Sequence, residues 1–357
     1  MPTAPAPGTP DPSGPAPGGG ARTRRPRAVL AMAPGTAAAV LRPPALAALG
    51  AHCDLVPPPP LDDFGTDRAR AALATAELLV TGWGCPPVDA AALAAAPRLR
   101  AIVHTAGSVR GHVTEACWRR GIEVSSAASA NALPVAEYTV AMILLTGKRV
   151  LERAERFRTE RRADDWLRAG PDVGNYRRTV GILSASLIGR RVVELLRPYD
   201  LEVLLHDPYV SAEEAASLGG RAVALPELFA RSDTVSVHTP LLPATRGLVS
   251  RELLTSMRPD AVLVNTARGA VVDQEALTDV VRQGRVRAVL DVTDPDVLPP
   301  DHPLWDCRNV LLTPHLAGSQ GNEWQRLAEL AVAEAARWAA GEGFAHPVRR
   351  DRLESLA

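Results

Sequence analysis

The sequence predicts an α/β protein with parallel sheets in two domains. Short apolar runs such as RAVLAMA (27–33) and TVGILSA (179–185) alternate with amphipathic or Ala-rich helical segments. This alternation is typical of strand–helix–strand crossovers, which join parallel strands. At 357 residues, with 46% hydrophobic and 22% charged residues, the chain is long enough for two globular domains with their own cores.

The elements are predicted in two series. Residues 1–26, rich in Pro, Gly and Ala, indicate a disordered tail that lacks apolar area to bury. Four strands follow, then a long helix over about 134–155 with Asn131 and Pro134 as start signals. An Arg-rich connection (156–178) leads to six more strands and a last helix over about 323–340. The predicted strands are RAVLAMA, ELLVTGW, LRAIVHTAG, IEVSSAA, TVGILSA, EVLLHDP, TVSVHTP, AVLVNTA, RAVLDVT and NVLLTPH.

Composition argues against several classes of protein. The formal net charge is zero, whereas proteins that bind nucleic acid usually carry a basic face. The four cysteines are scattered, without metal-ligand spacing, which fits a reducing cytoplasm better than a disulfide framework. The sequence contains no run of about 18 uninterrupted apolar residues, so it predicts no membrane-spanning helix. The N-terminus also lacks the apolar core of a signal peptide. We therefore expect a cytoplasmic protein with no metal, membrane or nucleic-acid partner.

The segment 179–207 has the order of a Rossmann-type dinucleotide-binding unit: strand, tight turn, helix, and a second strand that ends in an acid. Gly189 fits the glycine at which helix and strand pack closely, and Asp207 is placed to bind the adenosine ribose. Because a carboxylate repels the 2′-phosphate of NADP, NAD is the expected coenzyme. Ser184 and Ser186 replace the first two glycines, and a Cβ disfavours positive φ. A βαβ unit without nucleotide is the alternative.

Three later strand ends carry polar residues suited to reducing a 2-oxo acid. Arg268, then Asp291, Asp294 and Asp296, then His315 follow successive strands, and ligands bind outside the carboxyl ends of parallel strands. An arginine grips a carboxylate through its guanidinium fork. A histidine protonates the ketone oxygen as hydride arrives, and a nearby carboxylate favours the imidazolium. Each residue alone is more simply a surface or turn residue; together and in this order they predict catalysis.

Five motifs in this order resemble those of the D-isomer-specific 2-hydroxyacid dehydrogenases. They are SAASANALPVAEYTVAMIL, HTPLLPATRGL, NTARGAVVDQEAL, LDVTDPDVLPPDHPLW and NVLLTPHLAG. The resemblance, which covers about 27–340, implies a Rossmann-type parallel-sheet coenzyme domain inserted in a smaller flavodoxin-like substrate domain. It implies a first part of the substrate domain at 27–130, an NAD-binding domain with its linking helix at 131–317, and a completing helix at 318–345. It also implies a homodimer that reduces a small 2-oxo acid to a D-2-hydroxy acid.

The resemblance further implies roles for individual positions. The catalytic residues would be Arg268, Asp296 and His315. The substrate-binding residues would be Ala106, Gly107, Ser108, Val109, Asn131 and Arg268. The coenzyme-binding residues would be Ser186, Ile188, Gly189, Asp207, Thr239, Pro240, Thr245, Thr266, Ala267, Asp291 and Gly318.

Departures from the family pattern leave other readings open. Asp296 stands where the family usually has Glu, so its carboxylate is one methylene shorter and reaches His315 only if the backbone shifts. With the two serines, this supports an NAD-binding regulatory protein that has lost turnover. A formate- or phosphite-type dehydrogenase is a third reading, which the acid at Asp296 argues against, since formate oxidation transfers no proton. The loop 107–111 lacks the acidic tail common in relatives, so the sequence leaves the particular 2-oxo acid open.

Overall fold

The computed structural model describes residues 24–162, 169–170 and 172–353, apart from the side chain of Arg352. Most of the predicted tail at 1–26, and part of the Arg-rich connection at 156–178, lie outside the described residues. Arg24 and Arg25 already contact the first domain: Arg24 donates to Glu77 at 2.6 Å, and Arg25 donates to the Gly50 carbonyl at 2.8 Å.

The first part of the chain forms a five-stranded parallel sheet in the order β2-β1-β3-β4-β5. Its strands are β1 (Arg27–Ala31), β2 (Asp54–Leu55), β3 (Leu78–Thr81), β4 (Ala101–His104) and β5 (Glu123–Ser126). The helices between them are α1 (Pro34–Val40), α2 (Pro43–His52), α3 (Asp67–Leu73), α4 (Ala90–Ala95) and α5 (Glu115–Arg119). The order 2-1-3-4-5 is that of flavodoxin-like domains. The sequence prediction missed β2, a two-residue edge strand paired only with β1.

The second part forms a seven-stranded parallel sheet in the order β12-β11-β10-β9-β6-β7-β8. Its strands are β6 (Arg178–Leu183), β7 (Leu201–His206), β8 (Arg221–Ala222), β9 (Thr234–Val237), β10 (Val262–Asn265), β11 (Arg287–Leu290) and β12 (Val310–Leu312). Its helices are α8 (Leu187–Leu196), α9 (Ala212–Leu218), α10 (Leu225–Arg231), α11 (Arg251–Ser256) and α12 (Gln274–Arg282). Starting from β6, this is the doubly wound Rossmann order with one extra edge strand. The short edge strand β8 was not predicted.

The linking region differs from the single helix predicted over 134–155. It contains α6 (Ala128–Gly147) and α7 (Val150–Glu160), separated by Arg149, whose φ of 53° lies in the left-handed region. Asn131 and Pro134 lie inside α6 and are not its start signals. The helix begins earlier because the Ala127 N–H donates to the His104 carbonyl at 2.9 Å, which fixes the chain on the end of β4.

Helix α6 is apolar and long enough, by length and composition, to cross a membrane. Ten of its twenty residues are buried, however, and several pack against α8 and strands of the second sheet. This burial is that of a core helix. The final helix α13 (Trp324–Ala340) instead covers the first sheet, where Trp338 is buried in one cluster with residues of β1, β3 and β4.

The buried carboxylate of Glu334 in α13 fixes the end of the described chain to the first sheet. It accepts hydrogen bonds from the Ser125 hydroxyl at 2.6 Å and from the N–H groups of Ala345 and His346 at 3.0 and 2.9 Å. The Val348 N–H then donates to the Val124 carbonyl at 2.7 Å. The segment after α13 therefore runs along β5, beside the loop that follows β4.

Two buried histidines share one hydroxyl under the loop that follows β4. Thr81 Oγ1 lies 2.9 Å from His104 Nδ1 and 3.1 Å from His112 Nε2, and the two ring centroids are 4.4 Å apart. Burial, reinforced by the neighbouring His112, lowers the pKa of His104 to about 3, and burial lowers the pKa of His112 to about 4. Both imidazoles are therefore neutral near pH 7.

We predict that this pair makes the protein less stable in mild acid. In the unfolded chain each histidine takes up a proton near pH 6.5, whereas in the folded protein each stays neutral until about pH 4 or below. The unfolded state thus binds more protons below pH 6.5. The free energy of unfolding falls as pH falls, by up to about 1.4 kcal/mol per pH unit for each histidine.

Urea unfolding at pH 7.5, 6.0 and 5.0 measures this effect. His104→Asn keeps a polar group near the position of Nδ1 but does not titrate, so the loss of stability with acid should be shallower than in the wild type. His52→Asn, at the exposed end of α2, is the control. An equally steep loss in His104→Asn would show that the pair does not set acid stability.

Candidate active site

The carboxyl ends of β10, β11 and β12 lie side by side. Asn265 is in register with Leu290, and Leu290 with Leu312. Arg268 follows the end of β10 by three residues, Asp291 follows β11 directly, and His315 follows the end of β12 by three. All three loops therefore leave the same edge of the second sheet.

Asn265 holds the loop that carries Arg268. Its side-chain N–H donates to the Arg268 carbonyl, and its Oδ1 accepts from the Ala267 N–H, both at 3.0 Å. A Cβ at Gly269 would lie 2.1 Å from the carbonyl carbon of Thr293, so only glycine lets this loop lie directly against the loop after β11. The sequence reasoning missed both residues, although both stand in the NTARG motif.

Arg268 is exposed to solvent, although part of its side chain lies against the protein. Desolvation lowers the pKa of Arg268, the Asp296 carboxylate opposes that lowering, and the charge of Arg110 adds to it. Both groups therefore lie within electrostatic range of Arg268. Within the described residues Arg268 forms no ion pair, and its one side-chain hydrogen bond is to the Ala267 carbonyl at 2.6 Å.

Asp296 stands on the loop after β11, and its partnership with His315 stays a prediction. In the part of the chain that is described, no hydrogen bond or ion pair joins the two, and Asp296 is exposed. The Thr293 hydroxyl contacts the carbonyls of Pro295 and Asp296 at 2.7 and 3.0 Å, which folds this loop back on itself. The Asp296 carboxylate opposes the desolvation that lowers the pKa of Arg268.

Asp294, the other acid considered for that role, faces elsewhere. Its carboxylate pairs with Arg246 at 3.3 Å. Its main-chain N–H and carbonyl are both bound by the Gln274 side chain, at 2.8 and 2.7 Å. Asp294 therefore joins its loop to α12 and to the loop at 239–246.

His315 is held by the buried carboxylate of Asp291. That carboxylate accepts the Thr313 hydroxyl at 2.6 Å and the N–H groups of Leu316 and Ala317 at 2.9 Å. The His315 N–H donates to the Asp291 carbonyl at 2.9 Å, and His315 has a φ of 53°. The loop 313–317 thus wraps around Asp291, which places the imidazole on the exposed side of the turn. Asp291 is also one of the residues predicted to contact coenzyme, and that contact stays a prediction.

Helix α6 contacts the same loop through Tyr138 and Asn131. The sequence did not predict this hydrogen-bond network. Because the Thr313 hydroxyl donates to Asp291, the Tyr138 hydroxyl must donate to Thr313 Oγ1, 2.9 Å away. Burial raises the pKa of Tyr138, which keeps it a phenol and a donor. Farther along, Asn131 Oδ1 accepts from the Ser319 N–H at 3.0 Å.

Asn131 also lies against the loop predicted to bind substrate. A Cβ at Gly107 would sit 3.6 Å from Asn131 Nδ2, and one at Gly318 would sit 3.4 Å from Asn131 Oδ1. In that loop Ala106 and Val109 are buried, whereas Ser108 is exposed. Asn131 therefore joins the loop after β4 to the loop that carries His315.

The turn after β6 adopts the positive φ that its missing glycine would have favoured. Ser184 has a φ of 81°. Its hydroxyl donates to Asp207 Oδ2 at 3.1 Å, and the same oxygen accepts from the Ala185 N–H at 2.8 Å. A Cβ at Gly189 would lie 2.0 Å from the Ser184 carbonyl oxygen, so glycine is required where α8 crosses the turn. Asp207 thus compensates for part of the strain at Ser184.

This turn fits the diphosphate and ribose of a dinucleotide. Ser186 caps α8 by accepting from the Gly189 N–H at 3.4 Å, and nothing described accepts from the N–H groups of Leu187 or Ile188. Such free N–H groups at the N-terminus of a ten-residue helix favour a phosphate group. Asp207, which also accepts from the Tyr209 N–H at 2.9 Å, supplies carboxylate oxygens for hydroxyl donors.

The other residues predicted to contact coenzyme lie on adjoining loops. Thr239 Oγ1 is 3.5 Å from the Leu183 carbonyl at the end of β6. The Thr245 hydroxyl donates to the Pro240 carbonyl at 2.6 Å, which closes the loop 239–245 on itself. Thr266 is buried beside α6 and donates to Thr139 Oγ1 at 3.1 Å.

Comparisons with known proteins agree with this geometry. Residues 140–317 match the sequence profile described as D-isomer specific 2-hydroxyacid dehydrogenase, NAD binding domain. The D-3-phosphoglycerate dehydrogenase of Mycobacterium leprae is 36% identical over 287 residues, which cover 78% of this chain and 52% of that protein. The glyoxylate reductase of Aeropyrum pernix is 33% identical over 306 residues, covering 84% of this chain and 89% of that protein. The crystal structure of the TT0316 protein from Thermus thermophilus superposes with a TM-score of 0.71 at 30% identity, covering 90% of this chain and 100% of that one.

Fold and site together define an NAD-binding α/β protein with a second parallel-sheet domain. The chain belongs to the D-isomer specific 2-hydroxyacid dehydrogenase family. It spans about half the length of the phosphoglycerate dehydrogenases it matches. The fold class, the family resemblance and NAD as the coenzyme, all expected from the sequence, are confirmed.

We predict that alanine and glycine at position 184 differ in stability. Both replacements lose the hydrogen bond to Asp207, which costs about 1 kcal/mol. Glycine alone relieves the left-handed backbone, which returns about 1 kcal/mol. Ser184→Gly should therefore be about as stable as the wild type in urea unfolding, and Ser184→Ala about 1 kcal/mol less stable. If Ser184→Gly were the less stable of the two, the backbone at Ser184 would not be strained.

Proposed function

We propose that this chain reduces a small 2-oxo acid to a D-2-hydroxy acid with NADH. Arg268 would bind the substrate carboxylate and orient the ketone, and His315 would donate the proton. The observation that carries the proposal is that Arg268 and His315 are each built into a stabilised loop at one edge of the second sheet, which also carries the dinucleotide turn. The family supplies the class of reaction.

In this proposal the residues of the chain bind, orient and protonate. Bound NADH supplies the hydride, and the reduction also consumes one proton. The fork of Arg268 offers paired donors to the carboxylate, and desolvation around it strengthens the attraction to an anion. The His315 imidazolium gives its proton to the ketone oxygen as that oxygen becomes an alkoxide.

The coenzyme would lie along the turn after β6. The N–H groups at the start of α8, near Leu187 and Ile188, would bind the diphosphate, and Asp207 would accept from the ribose hydroxyls. A 2′-phosphate at that position would meet the Asp207 carboxylate. NADH is therefore expected to be preferred over NADPH.

A second candidate is an NAD-binding regulatory protein without turnover. It is favoured by the lack, among the described residues, of a hydrogen bond or ion pair between His315 and Asp296, the acidic partner expected from the family. We rank this regulatory protein second. A protein without activity would not explain why the loop of His315 is stabilised from β11, β12 and α6 together.

A substrate panel tests the proposal. NADH oxidation is followed with glyoxylate, hydroxypyruvate, pyruvate and phenylpyruvate, with NADPH in parallel. His315→Ala should lower kcat/KM on the active substrate by on the order of 10²–10⁴-fold, the usual contribution of a general acid. Arg268→Lys, which loses the fork, should lower it by on the order of 10²-fold.

Arg251→Lys is the matched control, because Arg251 lies on α11 in an exposed ion pair with Asp279. Fluorescence titration with NADH shows whether each variant still binds coenzyme. Tight NADH binding with no turnover of any acid would exclude the reductase and favour the regulatory protein. NAD⁺ reduction by formate would instead favour the formate-type reading.

A separate prediction concerns the carboxylate of Asp296. If Asp296 supports the protonated imidazolium in the reacting complex, Asp296→Asn should move the alkaline decline of kcat/KM to lower pH. The reason is that the imidazolium loses a stabilising negative charge. The pH profile of reduction measures this. An unchanged profile would exclude Asp296 from proton donation and leave its effect on Arg268 alone.

We also propose that the protein is a cytoplasmic homodimer, with residues 27–130 and 318–345 as substrate domain and 131–317 as coenzyme domain. Helix α7 supports an interface between two copies, because none of its residues is buried and Val150 and Phe157 are exposed. Light scattering after size exclusion would give the mass in solution. A monomer at micromolar concentration would contradict the dimer.

A further inference from the structure

A cavity lies between the dinucleotide turn and the segment that follows α13. It has a volume of about 380 Å³, and Leu187, the first residue of α8, lines it from the second domain. Ser126 and Ser129, at the end of β5 and the start of α6, also line it, as do residues 345–349. The segment after α13 therefore borders the turn at which the diphosphate of the coenzyme is proposed to bind.

Contacts with the rest of the first domain fix the position of residues 345–349. Pro347 pairs with Ser125 as in an antiparallel sheet, so the segment extends the edge of the first sheet, where β5 is the last strand. His346 Nδ1 lies 3.4 Å from Ser129 Oγ at the start of α6. These contacts hold the segment beside the cavity without help from a ligand.

Arg349 lines the same cavity, and the direction of its side chain follows from its neighbours. Val348 is buried in one cluster with Cys117 of α5, and Arg350 pairs with Glu115 of α5 at 2.8 Å. The backbone of Arg349 is extended, with φ −104° and ψ 139°. Because successive side chains of an extended chain point to opposite faces, the Arg349 guanidinium points away from α5.

The dinucleotide turn offers main-chain N–H groups to a diphosphate, but its own side chains add no cation. Residues 184–188, SASLI, contain no basic side chain. Arg190, in the first turn of α8, donates to the Ala185 carbonyl at 2.8 Å and pairs with Glu214 at 2.7 Å. A diphosphate carries negative charge on each phosphate group, which a guanidinium fork binds well. Arg349 brings such a fork to the cavity from the first domain.

We propose that Arg349 binds the diphosphate of the coenzyme from across the cleft, so that the segment after α13 completes the dinucleotide site. The inference rests on the proposed position of the coenzyme along the turn after β6, and it does not depend on which acid is reduced. The competing explanation is structural: residues 345–349 only cover the edge of the first sheet, and Arg349 contacts solvent.

The affinity for coenzyme measures this contact directly. The Kd of NADH is determined by fluorescence titration at low and at high salt. Arg349→Met should raise this Kd by on the order of tenfold at low salt, because it removes a charge-assisted hydrogen bond. The effect should be smaller at high salt, since ions screen the attraction. Arg349→Lys, which keeps the charge but not the fork, should give an intermediate Kd.

Arg350→Met is the matched control. Arg350 is the next residue of the same segment, but it pairs with Glu115 on the opposite side. Its removal should leave the Kd of NADH within about twofold of the wild type, because an exposed ion pair contributes little to stability. Urea unfolding without coenzyme checks that each variant is folded. Equal losses of NADH affinity in Arg349→Met and Arg350→Met would indicate a structural role and overturn the inference.

Fragments of the coenzyme locate the contact. ADP retains the diphosphate and adenosine lacks it, and the Kd of each is measured by its displacement of NADH. Arg349→Met should raise the Kd of ADP by about the same factor as that of NADH, and it should leave the Kd of adenosine unchanged. If ADP and adenosine lost affinity equally, the variant would have disturbed the whole site, and the inference would be overturned.

The inference and the proposed reduction can fail separately. If no 2-oxo acid is reduced but Arg349→Met still weakens the binding of NADH and ADP, the reductase fails and the diphosphate contact is supported. If an acid is reduced and the Kd of NADH is the same in Arg349→Met as in the wild type, the reductase is supported and the contact is overturned.

Discussion

The buried carboxylate of Asp291 is the contact on which the arrangement of the site depends. It stands at the end of β11, in the middle of the three strand ends, and accepts one hydroxyl and two N–H groups from the loop after β12. These bonds offset the left-handed conformation of His315, which costs about 1–2 kcal/mol in a residue other than glycine. The Tyr138 hydroxyl extends this network into α6, so the helix that links the domains also fixes the candidate proton donor.

A polar side chain that bonds to the backbone of a neighbouring loop also occurs at two other strand ends of the second sheet. Asn265 follows the pattern at β10, where its amide bonds to the backbone of the loop that carries Arg268. Asp207 follows it after β7, where it holds the turn at Ser184. A polar side chain beside a strand end satisfies N–H groups that the sheet leaves free. Three such side chains therefore fix the dinucleotide turn, the guanidinium and the imidazole relative to one rigid sheet.

The sequence predicted some of these features and missed others, for physical reasons. The apolar runs and their order predicted both sheets, because a buried parallel strand consists of a nearly continuous apolar run. The two-residue edge strands β2 and β8 contain no such apolar run. The start of α6 was misplaced because the local signals at Asn131 and Pro134 are overridden by the contact between Ala127 and the end of β4. The way Thr293 folds the loop of Asp296 back on itself depends on two hydrogen bonds to main-chain carbonyls, which sequence order does not encode.

The charge of Arg268 is set by the loops that surround it. Desolvation lowers the pKa of Arg268, the Asp296 carboxylate opposes that lowering, and the charge of Arg110 adds to it. Among the described residues the Arg268 side chain forms no ion pair, and its one hydrogen bond is to the Ala267 carbonyl. A guanidinium held by a neutral carbonyl keeps its full positive charge, so Arg268 is suited to the carboxylate of the proposed substrate.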